Sequence, residues 1–191
     1  MIFWCIWIFT VLQRLLELRH SEKNRKKLSA NGFSLKESVS SYREMVWLHV
    51  LWFVSMALEA EFLSQSPHII LQITFAALFI FAQFIRLWAI TSLGQHWNTC
   101  VMAPDSGASN ESFVISGPYR FIRHPNYLAA ILEIAFLPLI AGAWLTSIIF
   151  TVWNGLVLRK RIGIEEQFLN SRPGYSEAFK NQNRFIPNLF N

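Results

Sequence analysis

The amino-acid sequence predicts an all-α, polytopic membrane protein with about five transmembrane helices, the last two of which form a hairpin. Three observations lead to this prediction. Hydrophobic residues make up 53% of the 191-residue chain, which is a larger share than in ordinary soluble domains. These residues fall in blocks that are long enough to cross a bilayer. The Lys and Arg residues are concentrated in alternate connections between the blocks.

Three apolar blocks precede residue 91, and each of them is long enough for one membrane helix. They cover about residues 1–18, 45–63 and 69–90. No basic stretch precedes the first block, so it predicts a retained helix rather than a cleavable signal peptide. Residues 1–90 are therefore expected to form three N-terminal membrane helices.

The second half of the chain, residues 91–191, contains a fourth apolar block at about 127–158. One span needs roughly 20 residues, so this block is too long for one helix and slightly short for two full ones. Pro138, Gly142 and nearby small residues favour a turn. The block thus predicts a hairpin of two short or tilted helices within a single domain, residues 1–191.

The basic residues predict the orientation of the helices. When five spans are drawn, all 17 Lys and Arg residues fall on one side of the membrane. This side is expected to be cytoplasmic, which places the N-terminus outside and the C-terminus in the cytoplasm. The net charge of +5 is interpreted in the same way, so no nucleic-acid partner is expected.

A polar cluster lies immediately before the predicted hairpin. Residues 117–127 read Gly-Pro-Tyr-Arg-Phe-Ile-Arg-His-Pro-Asn-Tyr, and Gly117 with its following proline is a turn signal. Pro125 suits the first turn of a helix, which puts Arg123 and His124 at the N-terminal end of that helix. Free backbone N–H groups and the helix dipole favour an anion there, such as a carboxylate or a phosphate.

The arginines of this cluster allow two interpretations. Arg120 and Arg123 can extend towards lipid headgroups, or they can belong to a binding site. The presence of His124 between Tyr119 and Tyr127 favours the binding site, which would lie on the cytoplasmic face.

Three polar residues inside the predicted spans are candidates for binding a substrate. Glu133 lies well inside the first helix of the hairpin, and an acid at this depth is a functional residue or a hydrogen-bonded packing residue. Asn154, on the second helix, either faces it or forms a hydrogen bond that locks the hairpin. His49 either packs or faces the substrate, and no spaced partner makes it a metal ligand, so no metal site is expected.

Two adjacent carboxylates, Glu165 and Glu166, follow the hairpin on an expected cytoplasmic extension of its second helix. Neighbouring residues on a helix point about 100° apart, so only one of the two is expected to face inward. They either pair with nearby basic side chains or accept hydrogen bonds from the hydroxyl or ammonium groups of a cofactor. The amphipathic segment from Gly174 to Pro187 is expected to be able to fold back over the site as a lid.

The order and spacing of these residues match the pattern of one known family. The pattern resembles the isoprenylcysteine carboxyl methyltransferase family of integral membrane enzymes, and it consists of Gly117-x-Tyr119, Arg123-His124-Pro125-x-Tyr127, Glu165-Glu166, Gly174-Tyr175 and Pro187. The resemblance covers residues 113–187. The N-terminal part is similar to the small bacterial branch, some members of which methylate hydroxyls of long-chain polyketides such as alkylpyrones or alkylresorcinols.

The resemblance implies S-adenosylmethionine as cofactor and a lipophilic acceptor from the bilayer. The acceptor would be a prenylated cysteine or a long-chain small molecule, methylated on a carboxylate or on a phenol or enol hydroxyl. Arg123 and Glu166 would be catalytic, or Arg123 would orient the acceptor. The cofactor-binding residues carried over by position are Gly117, Tyr119, His124, Pro125, Tyr127, Glu165 and Glu166.

Other functions compatible with the pattern remain open. Phospholipid N-methyltransferases and NADPH-dependent sterol-type reductases carry related Arg-His-Pro patterns. The short chain argues against a reductase. The acidic Glu165-Glu166 pair also argues against it, because the phosphates of NADPH would prefer basic residues at that place. A membrane scaffold without catalysis would not need His124. The family often has Gly two residues after the motif tyrosine, where this chain has Ala129.

Overall fold

The structure is a computed structural model that describes residues 2–105 and 113–188. Within them the chain forms five long α-helices, one short α-helix, two short strands and two 3-10 turns, at Gly94–His96 and Gly117–Arg120. The helices are α1 (Ile2–Ala30), α2 (Val39–Phe62), α3 (Ile69–Leu93), α4 (Pro125–Ile140), α5 (Trp144–Asn170) and α6 (Tyr175–Ala178). The strands β1 (Phe33–Leu35) and β2 (Met102–Pro104) pair antiparallel, an addition to the predicted all-helical fold.

By length and composition, two of the described helical stretches could cross a membrane. They are α2 and the stretch Ile69–His96, which begins with α3. The apolar helix α4 is shorter. Large apolar side chains are exposed on several helices, among them Leu12, Ile80 and Ile148, and such a surface suits lipid rather than water. The number of five spans and their orientation remain predictions.

The predicted hairpin is present as α4 and α5, joined by a turn at residues 141–143. Gly142 has φ +79°, and a Cβ atom there would lie 2.4 Å from the carbonyl oxygen of Gln65, so only glycine fits this turn. Pro138 lies inside the last turn of α4, and its carbonyl accepts hydrogen bonds from the N–H groups of Ala141 and Ala143. The hairpin turn therefore packs on the connection between α2 and α3.

Helices α2 and α5 run antiparallel and enclose the apolar core. Leu48, Trp52 and Met56 of α2 are fully buried and cluster with Phe150 and Val157 of α5. At one end of this pair, the buried Glu59 accepts hydrogen bonds from the first backbone N–H groups of α5, at 2.9 and 2.7 Å. A carboxylate at a helix N-terminus satisfies unpaired donors and opposes the helix dipole, so this contact fixes the two helices against each other.

The other end of α5 is fixed by Arg161, which is 3% exposed. Its guanidinium donates to both oxygens of the buried Glu37, at 2.8 and 3.0 Å, and to the Thr99 carbonyl at 2.7 Å. These bonds hold the segments before α2 and before β2 against α5. Together with the β1–β2 pair, these bonds form a polar layer at this end of the helices, and residues of the pair line the candidate site.

Candidate functional site

A cleft lies at the C-terminal end of α3, between the two-stranded sheet, the turn before α4 and the end of α5. It consists of two adjoining cavities of about 130 and 100 Å³, which share Tyr119, Arg123 and Glu165 in their walls. Aromatic side chains form one part of the first cavity, with Phe33, Phe113, Phe168, Tyr175 and Phe179 among its lining residues. The second is more polar, with Asn98, Asn126, His124 and Tyr127. The cleft thus has one wall suited to a flat ring and one suited to polar groups.

The turn at Gly117 brings Tyr119 into this cleft. Gly117 has φ +61°, and a Cβ atom there would lie 2.0 Å from Oγ of Ser92, so glycine allows the turn to pack closely on α3. Tyr119 is buried, and burial together with the negative charge of Glu165 raises the pKa of its phenol well above the ordinary value. Its hydroxyl group therefore stays protonated at neutral pH and is available as a hydrogen-bond donor.

The first turn of α4 connects the motif to α5. The rings of His124 and Tyr127 stack with their centroids 5.4 Å apart. This stacking directs the Tyr127 hydroxyl to Glu165, to which it donates a hydrogen bond of 2.7 Å. Glu165 keeps lone pairs for a further donor, since a carboxylate accepts about four hydrogen bonds.

Glu166 lies behind Glu165 at the centre of a cationic cluster. Arg184 donates to both of its oxygens, at 3.0 and 2.6 Å, and His124 Nε2 lies 3.0 Å from Oε1. Arg123 approaches the same oxygen at 3.4 Å. Burial disfavours the charged carboxylate, but these donors outweigh it and hold the pKa of Glu166 below its ordinary value.

The two glutamates are therefore both engaged on the inner side of α5, although adjacent residues were expected to point apart. The reason is that their partners come from different elements. Tyr127 of α4 reaches Glu165, while the tail supplies Arg184 to Glu166. Of the two glutamates, Glu165 lines the cleft and Glu166 supports it from behind.

The tail after α6 folds back onto the start of α4, as the predicted lid does. Arg123 and His124 donate their backbone N–H groups to the carbonyls of Asn183 and Arg184, both at 3.0 Å. These two N–H groups directly precede α4, so the tail is anchored next to the helix start, and the carboxylate of Glu166 lies beside the side chains of the same two residues.

Glu133 lies outside the cleft, in a buried polar network of α1, α3 and α4. Its carboxylate accepts hydrogen bonds from Arg14, from Gln83 at 2.5 Å and from Arg86 at 3.4 Å. Glu17 accepts from the same two arginines, at 2.5 Å from Arg14 and 2.6 Å from Arg86. The network balances two positive against two negative charges inside the helix bundle.

The other two predicted substrate residues, Asn154 and His49, each have a side-chain nitrogen that makes no hydrogen bond to a described residue. Asn154 is buried, and its Nδ2 has no hydrogen-bond partner among the described residues, so it does not pair with Glu133. His49 donates from Nδ1 to the Met45 carbonyl at 2.9 Å, which leaves Nε2 as an acceptor. In the parts of the chain that the structure describes, no three His, Cys, Asp or Glu side chains lie close enough to hold a metal ion.

Three arginines that form buried or partly buried ion pairs in the structure were not recognised as such from the sequence. Arg86 and Arg161 were treated only as orientation signals, and Arg184 only as part of the lid. Charge balance could have identified Arg86 as an ion-pair residue, because two acids and two arginines inside apolar blocks must neutralise one another. No comparable signal marks Arg161, whose partner Glu37 lies 124 residues away in the chain.

Comparison with known proteins decides the family. A sequence profile described as the isoprenylcysteine carboxyl methyltransferase (ICMT) family matches residues 74–171. This range is more than half of the chain, and it includes the Gly117 turn, the start of α4 and both glutamates. The chain belongs to the isoprenylcysteine carboxyl methyltransferase family.

Two further similarities agree with membership of the isoprenylcysteine carboxyl methyltransferase family, whose members are membrane methyltransferases. The chain is 30% identical over 167 residues to the uncharacterized protein YpbQ of Bacillus subtilis (strain 168), covering 87% of this chain and 96% of that protein. It also resembles the solved structure of the eukaryotic intramembrane Ras methyltransferase ICMT, with a TM-score of 0.61 and 23% identity. That match covers 75% of this chain and about half, 51%, of the eukaryotic chain, so it shows a shared fold.

Proposed function

We propose that this protein is an S-adenosylmethionine-dependent O-methyltransferase of the membrane. Its acceptor is a lipophilic molecule that carries a carboxylate or a phenol or enol hydroxyl, such as an isoprenylcysteine or a long-chain alkylpyrone or alkylresorcinol. The observation that carries the proposal is that Arg123 and Glu165, which have opposite charges, both lie in the walls of one cleft built by the family motif.

The chemistry of the cleft fits this cofactor. S-adenosylmethionine has a carboxylate, an ammonium group, ribose hydroxyls and a purine ring. Two buried polar atoms near the cleft have no partner among the described residues, Arg123 Nε and Asn126 Oδ1. A donor and an acceptor suit the carboxylate and the ammonium group, while Glu165 suits hydroxyls or the ammonium group. Phe113, Tyr175 and Phe179 offer aromatic faces to a purine.

These features assign roles to the motif residues. Tyr119, Tyr127 and Glu165 would contact the cofactor directly, because they form the walls of the cleft. Gly117 and Pro125 would shape the turn and the helix start that carry them. Glu166 would position His124 and Arg123 through the ion cluster, rather than contact the reacting atoms. The bound cofactor supplies an activated methyl group for transfer to the acceptor oxygen.

The acceptor determines whether proton removal is needed. A carboxylate is already a nucleophile, so alignment of the two molecules in a water-poor cleft would be the main contribution of the protein. A phenol or enol would lose a proton, and Glu165 or His124 would accept it directly or through a water molecule. His49, Glu133 and Asn154 remain predicted acceptor residues, and the open Nε2 of His49 and Nδ2 of Asn154 favour these two over Glu133.

Two measurements test the proposal. Purified protein in detergent should bind S-adenosylmethionine saturably in calorimetry, and it should transfer a labelled methyl group to a component of a host lipid extract. Chemical analysis of the product then tells an oxygen-methylated lipid from a methylated phosphatidylethanolamine. Absence of saturable binding together with oxidation of NADPH would overturn the proposal in favour of a reductase.

A further inference from the structure

The end of α1 carries an exposed basic face. The helix continues twelve residues beyond the apolar block, from Leu18 to Ala30. Four exposed cations of this extension share one side of the helix, since each lies three or four residues from Lys23 or is Lys23 itself, and they are Arg19, Lys23, Lys26 and Lys27. Lys26 lies 3.8 Å from Glu22, and the other three have no carboxylate partner among the described residues. We call these four residues the basic face.

The basic face continues the apolar stripe that α1 presents outwards. Ile8, Leu12, Leu15 and Leu16 are each more than half exposed and lie on the same side of the helix. In the proposed membrane arrangement this stripe contacts acyl chains. Four residues of helix rise about 6 Å, and the headgroup layer is about 5–8 Å thick, so Arg19 and Lys23 fall at headgroup level. Lys26 and Lys27 follow within the reach of the surface potential.

The opposite side of the same extension braces the cleft. Ser21 accepts the backbone N–H of Thr99 at 2.9 Å and donates to Asn98, also at 2.9 Å. Asn24 donates to the carbonyls of Gly94 and Trp97, at 3.1 and 2.8 Å. Asn98 and Trp97 line the polar cavity. The position of the extension therefore sets the position of one wall of the cleft.

We propose that the basic face is a binding site for the headgroups of anionic phospholipids, and that its occupation stabilises the cleft wall. Arg19, Lys23 and Lys27 succeed one another at intervals of four residues, and like charges at this spacing destabilise a helix. Anionic headgroups relieve this repulsion and attract each cation. The lipid then favours the ordered extension, and through Ser21 and Asn24 it favours the ordered wall. The proposal rests on the membrane arrangement proposed above.

The first test measures hydrogen exchange of the full chain in nanodiscs of phosphatidylcholine, with or without phosphatidylglycerol. We expect the backbone amides of residues 19–28 and 94–99 to exchange about fivefold more slowly with the anionic lipid, the low end of common coupling strengths. High salt should remove the difference, because it screens exposed charges. Inorganic phosphate added to phosphatidylcholine nanodiscs should not reproduce it. Equal exchange in both lipids would overturn the proposal.

Matched variants assign the effect to the basic face. Lys23→Gln with Lys27→Gln should abolish the lipid-dependent protection. Lys160→Gln with Lys180→Gln removes the same charge from sites already paired with Glu44 and Glu177, so the protection should persist. Loss of protection in the control pair as large as in the test pair would overturn the assignment. Glutamine is a good helix former, so both pairs should keep their helix content, as circular dichroism can check.

A second measurement links the site to the proposed function. S-adenosylmethionine should bind about fivefold more tightly in nanodiscs that contain phosphatidylglycerol, and the test pair should lose this difference. Exchange protection and cofactor binding separate the two proposals. If the cofactor does not bind in any lipid while the amides remain protected, the proposed function fails and the lipid site stands.

Discussion

At the scale of single residues, the two neighbouring glutamates at the end of α5 have different surroundings. Glu165 lies in the cleft wall and, among the described residues, receives a hydrogen bond from Tyr127. Glu166 is 10% exposed in its side chain and receives hydrogen bonds from Arg184 and His124. A carboxylate with open lone pairs can bind a ligand, whereas one surrounded by donors holds those donors in place.

Glu165→Gln should weaken binding of S-adenosylmethionine about tenfold or more. A hydrogen bond to a charged group contributes about 1.5–3 kcal/mol, and each 1.4 kcal/mol is about tenfold in affinity. Calorimetry on the purified variant measures the change. The control is Glu177→Gln, which makes the same change at an exposed acid of α6 that pairs with Lys180 and does not line the cleft. An unchanged affinity in Glu165→Gln would contradict a direct contact.

Glu166 should make the stability of the protein depend on pH in the acidic range. The pKa of Glu166 is lowered in the folded state, so its stabilising contribution is present above the ordinary value of 4.5 and decreases as the pH falls through the folded pKa. Wild-type protein should therefore unfold at a higher temperature than Glu166→Gln at neutral pH, and the difference should shrink below about pH 4. Thermal unfolding in detergent measures it. A difference that stays constant down to low pH would contradict the cluster.

At the scale of helices, the network around Glu133 connects α1, α3 and α4. Arg14 and Glu133 are 119 residues apart in the chain, yet they form an ion pair inside the bundle. The side chain of Glu133 is 1% exposed. An ionised group buried this deeply needs its partners, because the loss of one partner leaves an uncompensated charge.

Glu133→Gln should destabilise the folded protein by about 3–5 kcal/mol, because it leaves two arginines with one carboxylate. The double variant Glu133→Gln with Arg14→Gln restores the balance, so it should lose less stability than the sum of the two single variants. Unfolding by denaturant in mixed micelles measures both. Glu61→Gln, an exposed acid on α2, is the control and should change little. Unchanged stability with a raised KM for the acceptor would instead favour the predicted substrate role of Glu133.

The sequence predicted the helices well where apolar residues define them. The third block was expected at about 69–90 and is Ile69–Leu93, and the hairpin turn was expected near Gly142. Helix α1 was expected to end near residue 18, but the helix continues to Ala30. No Gly or Pro interrupts residues 19–31, so the backbone stays helical until Gly32, which has φ +80°.

The supports of the cleft could not be predicted from the sequence. The tail contacts the segment before α4 through the backbone carbonyls of Asn183 and Arg184. Every residue has a backbone carbonyl, so the side-chain pattern does not indicate which ones form such a contact. Likewise, the pair of Arg161 and Glu37 depends on where distant segments meet. The family motif marked the residues in the cleft walls, while the residues that hold these walls follow only from the tertiary structure.

At the scale of the whole molecule, the described residues form five long helices with a polar layer at one end. Which side of the membrane this end faces remains a prediction. The basic end of α1 and the tail lie at the same end as the polar layer of Arg161, Glu37 and the β1–β2 pair. The connection between α2 and α3 and the hairpin turn lie together at the opposite end, where a Gly142 side chain would meet Gln65.

The orientation can be tested with single cysteines. In a Cys5→Ser, Cys100→Ser background, Ser66→Cys should react with a membrane-impermeant maleimide added to intact cells, because the exposed Ser66 lies in the predicted outer connection. Lys180→Cys should react only after the cells are opened. Labelling of both positions, or of Lys180→Cys alone, in intact cells would contradict the predicted orientation.

The contact between the tail and α4 also governs the order of events during biosynthesis. Asn183 and Arg184 leave the ribosome after all five long helices, so the helices can enter the membrane before the cleft is complete. Until then Glu166 has no Arg184, and the N–H groups of Arg123 and His124, just before α4, have no carbonyl partners. A nascent chain without Asn183 and Arg184 would thus have inserted helices and an incomplete candidate site, and the arrival of these two residues would complete it.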